Sequence, residues 1–307
     1  MSKYEVIVLF DSFRGNEHLI QELTYLVSSG KMPHGIAIQS EIGQGGGFFS
    51  KLLAQTYLDD QNDLVLRGIH PDCIMIEGSG SSGDISVQTV RDALYEANKA
   101  AVTTEGKRVV LIQHAEHLNQ SSSNALLKML EEPPQGVVFI LTVKDKYDLL
   151  ETILSRVSLY RLQSPDIEEC VEEVLRLRKE CTEKQAYELA VLFDGRIGLA
   201  LRSFEDNSFA EMAIAGREFC KSAMNADIYG MMSSMSVADE REKMKQLLHT
   251  SVLYLRSRTR ETKTHVAKEE MILDEVSKAY EEVAKYTNMK LLQTRMSYVI
   301  GNSKNGN

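Results

Sequence analysis

Three short stretches of this sequence have residue types and spacings that could take part in phosphate chemistry. A glycine-rich segment, SEIGQGGG, begins at Ser40. Gln113 and His114 follow an apolar run, and Ser155 and Arg156 precede another one. Glycine-rich loops present backbone N–H groups to phosphates, and arginine holds phosphate oxygens with a planar fork of donors. The candidate sites are therefore an anion-binding loop, a strand end and an arginine beside a strand.

The glycine-rich segment lacks the two side chains that act on a triphosphate in a phosphate-binding loop. In the pattern G-x-x-x-x-G-K-[ST], the lysine reaches the outer phosphates and the hydroxyl holds magnesium. Ser40 takes the first glycine position of this pattern, and Gly45 keeps the second. Gly46 and Gly47 stand where the lysine and the hydroxyl belong. We predict that this degenerate loop, which also contains Gly43, joins a strand to a helix and holds no cofactor. Weak nucleotide binding through the backbone is the alternative.

The strand that carries the magnesium-binding carboxylates in P-loop ATPases ends here without carboxylates. Acidic residues at that strand end hold magnesium and orient the attacking water. The chain reads VVLIQHAEHL, so Gln113 and His114 occupy those places and Glu116 falls in the following turn. We predict that His114 is a hydrogen-bonded loop residue, and that Thr142 ends the next strand without contacting a phosphate.

Alternating strand and helix patterns place these stretches in a parallel sheet. Short apolar runs typical of buried strands alternate with helical periodicity, which indicates βαβ units. The predicted strands lie at 35–39, 73–77, 107–113, 137–141 and 157–162. Beyond Ser164 the sequence shows only amphipathic helices, three short ones followed by four longer ones. We therefore predict an α/β domain over residues 1–163, a three-helix unit over 164–205 and a helical domain over 206–307.

Composition excludes several classes of protein. The chain has 307 residues, of which 43% are hydrophobic, and a net charge of −9. This overall charge does not favour binding to a polyanion such as a nucleic acid. No apolar run approaches the roughly 18 residues of a membrane span, and no signal-peptide pattern opens the sequence, so we expect a cytoplasmic protein. The four cysteines are widely separated, which argues against a zinc site or other metal site and against disulfides.

The motifs of this chain resemble those of the ATPase-type subunits of bacterial clamp loaders. The longest is SSSNALLKMLEEPP, followed by FILTV and LLETILSR, and HPDCIMIEG, ISVQTVRDAL and DGRIGLAL agree as well. The resemblance covers about residues 10–205. It implies a P-loop AAA+ type fold, with a five-stranded parallel sheet, a small three-helix lid and a C-terminal helical collar that joins subunits of a ring.

Within this family, a lost loop lysine combined with a retained Ser155-Arg156 pair resembles the delta-prime branch of the DNA polymerase III clamp loader. The alternatives are an ATP-hydrolysing gamma/tau-type motor, which would keep the lysine, the acidic pair and a four-cysteine zinc module, and a non-replicative adaptor. Two departures stand out. Many delta-prime proteins carry the zinc module, which would be inserted in the segment 59–68, and Val157 replaces the cysteine of the usual Ser-Arg-Cys triplet.

The resemblance implies that Arg156, with Ser155, acts in trans on ATP and Mg²⁺ bound by a neighbouring motor subunit. It implies gamma/tau and delta subunits as partners, with the sliding clamp and primer-template DNA reached through the complex, and no membrane. The residues alone leave open that Arg156 only pairs with a local carboxylate such as Asp148 or Glu151. A basic run near the C-terminus offers a further contact for DNA phosphates, although such runs are mostly solvated; it comprises Arg256, Arg258, Arg260 and Lys263.

Overall fold

The computed structural model describes residue 10 and residues 12–79, 83–103, 105–261, 266–285 and 288–302 of the chain. These residues form two compact units that adjoin in sequence between Gln163 and Ser164. Strand patterns stop at the same point in the sequence.

The first unit is built on a five-stranded sheet in the order β2-β3-β4-β1-β5, in which every neighbouring pair is parallel. The strands are β1 (Gly35–Gln39), β2 (Cys73–Ile76), β3 (Arg108–Ile112), β4 (Val137–Val143) and β5 (Ser158–Arg161). Strand β1 lies between β4 and the edge strand β5, so that Ile36 lies opposite both Ile140 and Ser158. The predicted five-stranded parallel α/β fold is confirmed.

Helices cover both faces of this sheet, which explains why its strands are continuous apolar runs. They are α1 (Glu17–Ser28), α2 (Gly46–Leu58), α3 (Val87–Ala97), α4 (Gln120–Glu131) and the single turn α5 (Glu151–Leu154), with 3₁₀ turns at Ala115–His117 and Lys146–Asp148. Successive residues of β1 point to opposite faces. Ile36 and Ile38 pack in the cluster formed with α1 and α2, whereas Ala37 packs in the cluster formed with α3 and α4.

The described part of the second unit is helical throughout. Its helices are α6 (Ile167–Leu177), α7 (Glu183–Leu192), α8 (Ile197–Glu205), α9 (Asn207–Met224), α10 (Ile228–Ser236), α11 (Arg241–Glu261), α12 (Val266–Ala284) and α13 (Met289–Asn302). Helix α10 is not predicted from the sequence, because its residues IYGMMSSMS combine glycine and serines with little helical preference. Met231 and Met235, one turn apart on α10, are fully buried, so tertiary packing stabilises this helix.

One hydrophobic core runs through the second unit. Phe193, after α7, stacks on Phe209 of α9 at 5.6 Å between ring centroids. Asp194, which is almost fully buried, forms an ion pair with Arg260 of α11. The helices on the two sides of the boundary between residues 205 and 206 therefore share a core, and their division into two domains stays a prediction. Among the described residues, no helix has the length and apolar character needed to span a bilayer.

Candidate functional site

The glycine-rich loop lies at the carboxyl edge of the sheet, directly after strand β1. Gly43 and Gly45 adopt φ values of +86° and +85°, which favour glycine, and α2 begins at Gly46. The side-chain oxygen Oε1 of Gln44 accepts a hydrogen bond from the backbone N–H of Glu41 at 2.7 Å. The loop thus uses one of its own side chains to satisfy a backbone donor that would otherwise be available to an anion.

Ser40 and Gly46 are matched in size, and this leaves no room for a side chain at the lysine position. A Cβ atom added to Gly46 would lie 1.9 Å from Ser40 Oγ and 2.8 Å from Ser40 Cβ. In the phosphate-binding pattern the position of Ser40 is a glycine and that of Gly46 is a lysine. The two replacements therefore compensate each other, and a lysine alone at position 46 would collide with Ser40.

Aromatic rings pack beside the same loop. The ring of Phe13 lies edge-on to Phe49 at 5.0 Å between centroids and stacks near Phe48 at 6.4 Å. Phe13 also comes within 3.0 Å of the position that a Cβ of Gly45 would occupy. The backbone that would face a phosphate is thus bordered by apolar rings, which disfavour a highly charged ligand.

The end of β3 supplies no carboxylate to this edge of the sheet. The side chain of Gln113 lies beside Gly47, with Oε1 3.5 Å from the position of an added Cβ. His114 has an exposed ring whose Nδ1 is 3.3 Å from Glu116 Oε1, and its backbone N–H donates to Thr142 Oγ1 at 2.9 Å. Thr142 is buried within β4, and its hydroxyl oxygen accepts this hydrogen bond from a residue that follows β3. These residues do not provide the cation and the carboxylates that a magnesium triphosphate needs.

Arg156 lies at the opposite, amino edge of the sheet, where β1 and β5 begin. The backbone carbonyl of Arg156 approaches β1 so closely that a Cβ on Gly35 would be 2.9 Å from that oxygen. The same Cβ would meet Val157 at 3.1 Å and Leu130 at 3.2 Å. Gly35 is therefore required for the close packing of the Ser155-Arg156 turn against β1.

The guanidinium of Arg156 is held in an open cleft of about 580 Å³. Nη1 donates to the carbonyl oxygen of Thr152 at 2.9 Å and to Ser155 Oγ at 3.0 Å, and Nη2 pairs with Glu131 Oε1 at 2.6 Å. The side chain of Arg156 remains 34% exposed. Ser155 in turn donates its hydroxyl proton to the carbonyl oxygen of Thr152 at 2.9 Å. Ser155 and Arg156 thus form one hydrogen-bonded group at the protein surface.

The local carboxylate that pairs with Arg156 is Glu131, and neither Asp148 nor Glu151 forms an ion pair with it among the described residues. Glu131 is the last residue of α4 and the first glutamate of the LEEPP segment. The sequence predicts that the helix ends near this glutamate, because the proline pair follows it. It does not show that the helix end meets the turn before β5, because that contact joins segments 25 residues apart.

The segment 59–68, where a zinc module would be inserted, is closed by hydrogen bonds. The buried carboxylate of Asp60 accepts from the backbone N–H of Asn62 at 3.0 Å and of Val65 at 2.8 Å. Gln55 bridges the same loop through Asp63 Oδ1 at 2.7 Å. Among the described residues, no group of three or more His, Cys, Asp and Glu side chains is arranged to hold a metal ion.

Two of the cysteines are protonated, and two arginines of the basic run lie beside carboxylates. Burial raises the pKa of the thiols of Cys73 and Cys170 to about 12, so both stay protonated at neutral pH. Arg260 pairs with Asp194, and Arg258 Nε lies 3.4 Å from Glu269 Oε1. Lys263 lies outside the described residues. A contact of this run with DNA stays a prediction.

Comparison with known proteins relates about half of the chain to one protein family. Residues 15–166 match the family model described as DNA polymerase III, delta subunit. The chain is 31% identical over 160 residues to the delta-prime subunit of DNA polymerase III from Yersinia pestis, an alignment that covers 47% of this chain and 46% of that protein. It is 26% identical over 230 residues to the delta-prime subunit from Escherichia coli K12, covering 70% and 68%. The chain thus spans about half the length of the first relative.

A solved structure shares the fold at lower identity. The crystal structure of a DNA polymerase III gamma-subunit-related protein from Thermotoga maritima superposes with a TM-score of 0.55 and 18% identity. The superposition covers 92% of this chain and 99% of that chain. At this identity the similarity establishes the fold, with its sheet domain followed by helices.

Proposed function

Because this chain belongs to the clamp-loader subunit family of DNA polymerase III, we propose that it is a delta-prime-type subunit that does not hydrolyse ATP itself. In this proposal Arg156, supported by Ser155, enters the ATP site of a neighbouring gamma/tau-type motor subunit. The neighbour binds the ATP and Mg²⁺, and this chain contributes a fixed positive charge.

The distance between Arg156 and the chain's own glycine-rich loop carries the proposal. The loop begins after the carboxyl end of β1, and the carbonyl of Arg156 packs on Gly35 at its amino end. The five residues of β1 separate the two sites by about 16 Å, at about 3.3 Å per residue. Arg156 is therefore on the wrong edge to serve a nucleotide bound by its own chain, and the cleft around it opens to the surface.

The chemistry fits a residue that stabilises charge on a transferring phosphoryl group. Arginine stays ionised at all physiological pH values and offers paired N–H donors to phosphate oxygens. Such a charge acts where negative charge develops in the transition state, and arginine fingers accelerate phosphoryl transfer by about 10³–10⁵. The loss of side chains at Gly46 and Gly47 is consistent with a subunit that has no nucleotide of its own to act on.

The wider role follows from the same assignment. This chain would form a complex with gamma/tau and delta subunits, and the complex would use ATP to load the sliding clamp onto primed DNA. The helices over residues 206–307 would supply the collar that joins subunits, and contacts with the clamp and the primer-template would be made through the complex. The net charge of −9 agrees with DNA contacts that are local or shared with partners.

Replacing Arg156 with alanine in a reconstituted complex tests the proposal. We expect normal assembly and a loss of about 10³-fold or more in turnover at the one ATP site next to this subunit. Arg161→Ala is the matched control, because Arg161 is an exposed arginine at the other end of β5. Unchanged turnover in the Arg156→Ala complex, measured under single-turnover conditions, would show that Arg156 does not act in trans.

Titration of the isolated chain with Mg-ATP separates this proposal from an active motor. The missing lysine at Gly46 and the absence of carboxylates at Gln113 and His114 predict no tight, magnesium-dependent binding. Tight binding would favour the gamma/tau-type alternative. Co-purification with gamma/tau and delta subunits distinguishes both from a non-replicative adaptor, which would remain without these partners.

A further inference from the structure

We propose that Glu131 is a positioning residue that holds Arg156 while the neighbouring ATP site is empty and releases it when nucleotide binds. This inference rests on the proposed function and adds a competitor for the guanidinium. Glu131 Oε1 lies 2.6 Å from Arg156 Nη2, and the two side chains come from elements joined only through the fold, the end of α4 and the turn before β5.

Of the three hydrogen-bond partners of the Arg156 guanidinium, one can be replaced by a phosphate while the other two remain in place. Nη1 is held by the carbonyl oxygen of Thr152 and by Ser155 Oγ, both within the same turn. Nη2 is held by Glu131, whose side chain is 44% exposed. The carboxylate is thus the one charged partner of the guanidinium among the described residues, and it can leave without disturbing the turn that carries the arginine.

The relative strength of the two possible partners favours exchange. Exposed ion pairs shift an equilibrium by no more than about fivefold, since both ions are well solvated before they meet. A nucleotide phosphate carries more negative charge than a carboxylate and accepts paired hydrogen bonds from the guanidinium. Glu131 therefore orders Arg156 in the unoccupied state at little cost to nucleotide binding, and it weakens that binding only modestly.

The accessibility of Arg156 in the isolated full chain gives the first test. Phenylglyoxal modifies free guanidinium groups, and peptide mass spectrometry reports the rate at Arg156. We expect Glu131→Gln to raise this rate several-fold, because the amide removes the ionic partner and keeps the size of the side chain. Glu132→Gln is the matched control, since it removes the same charge one residue later, where no ion pair is present among the described residues. An unchanged rate in Glu131→Gln overturns the proposal.

The second test uses the reconstituted complex. A competitor for Arg156 that acts on substrate and transition state alike affects KM and leaves kcat unchanged. We expect Glu131→Gln to lower the apparent KM for ATP by up to about fivefold with kcat retained. The same substitution should have no effect on KM in the Arg156→Ala background, because that variant has no guanidinium for which Glu131 and the nucleotide could compete. An equal change in KM in both backgrounds would mean that Glu131 acts independently of Arg156.

The roles of Arg156 and Glu131 can be tested separately. If Arg156→Ala leaves turnover unchanged, the proposed function is wrong. If Arg156→Ala slows turnover while Glu131→Gln leaves either the KM or the modification rate at its wild-type value, the proposed function stands and the role of Glu131 is wrong.

Discussion

Replacing Gly46 with alanine should destabilise the first unit, although the general rule predicts the opposite. Gly46 is the first residue of α2 and its φ is not in the left-handed region, so alanine would normally stabilise by about 0.4–1 kcal/mol. Here the new Cβ would lie 1.9 Å from Ser40 Oγ and 2.8 Å from Ser40 Cβ. Rotation of the serine side chain relieves the first contact but not the second, so the backbone must move.

The expected size of the effect follows from these opposing contributions. Inserting a methyl group into a packed site costs about 1–3 kcal/mol, and the gain in backbone entropy offsets part of it. We expect a net loss of about 1–2 kcal/mol in the free energy of unfolding of the first unit. Gly47→Ala is the matched control, because its nearest atom would be Gln113 Oε1 at an ordinary 3.5 Å. That variant should be stabilised by about 0.4–1 kcal/mol.

Hydrogen exchange on peptides from β1 and β4, followed by mass spectrometry, is the appropriate assay. A chain of two units need not unfold in one step, and this measurement reports the first unit alone. Combining Gly46→Ala with Ser40→Gly should abolish the loss, and the double-mutant cycle gives the coupling between the two positions. If Gly46→Ala is as stable as Gly47→Ala, the packing argument is wrong. If Gly46→Ala is the less stable of the two, restoring a lysine at position 46 requires the glycine at position 40 as well.

Three further predictions concern the frame around the site. Asp72 is buried, and although burial alone would raise the pKa of its carboxyl, hydrogen bonds from two backbone N–H groups and the charge of Arg108 together lower that pKa. Asp72→Asn should cost about 3–5 kcal/mol at neutral pH, because Arg108 is left as a buried charge without its partner. A depressed carboxyl pKa stabilises the fold above the unfolded value of about 3.9, so the difference between wild type and variant, followed by urea unfolding, should shrink as pH falls below about 4; a constant difference contradicts this. Gly35→Ala should displace the Arg156 turn and lower turnover of the complex while leaving Mg-ATP binding by the neighbour intact, and unchanged turnover would show that the close approach is dispensable. Asp60→Ala should lower the unfolding free energy by about 1–3 kcal/mol, measured by thermal unfolding, because two backbone N–H groups lose their acceptor; a stability equal to wild type would refute it.

The sequence determined the parts of this protein that depend on residue identity and local periodicity. The absence of a lysine at Gly46 and of carboxylates at Gln113 and His114 is visible without a structure, and so is the α/β pattern that precedes the helices. Arg156 directly precedes a strand in the sequence, whereas the glycine-rich loop follows one. These features predict an empty nucleotide site, whereas a role of Arg156 on another subunit is what the family resemblance implies.

Tertiary structure decided everything that depends on pairing between distant segments. The order β2-β3-β4-β1-β5 makes β1 and β5 neighbours, and only this adjacency places Arg156 and the glycine-rich loop at opposite edges of the same pair of strands. The matching of Ser40 with Gly46, and the ion pair of Arg156 with Glu131, are likewise contacts across the fold. Periodicity specifies which side of an element is buried but not what it is buried against. For this reason the sequence offers Asp148 and Glu151 as examples of a local partner for Arg156, and the fold shows Glu131.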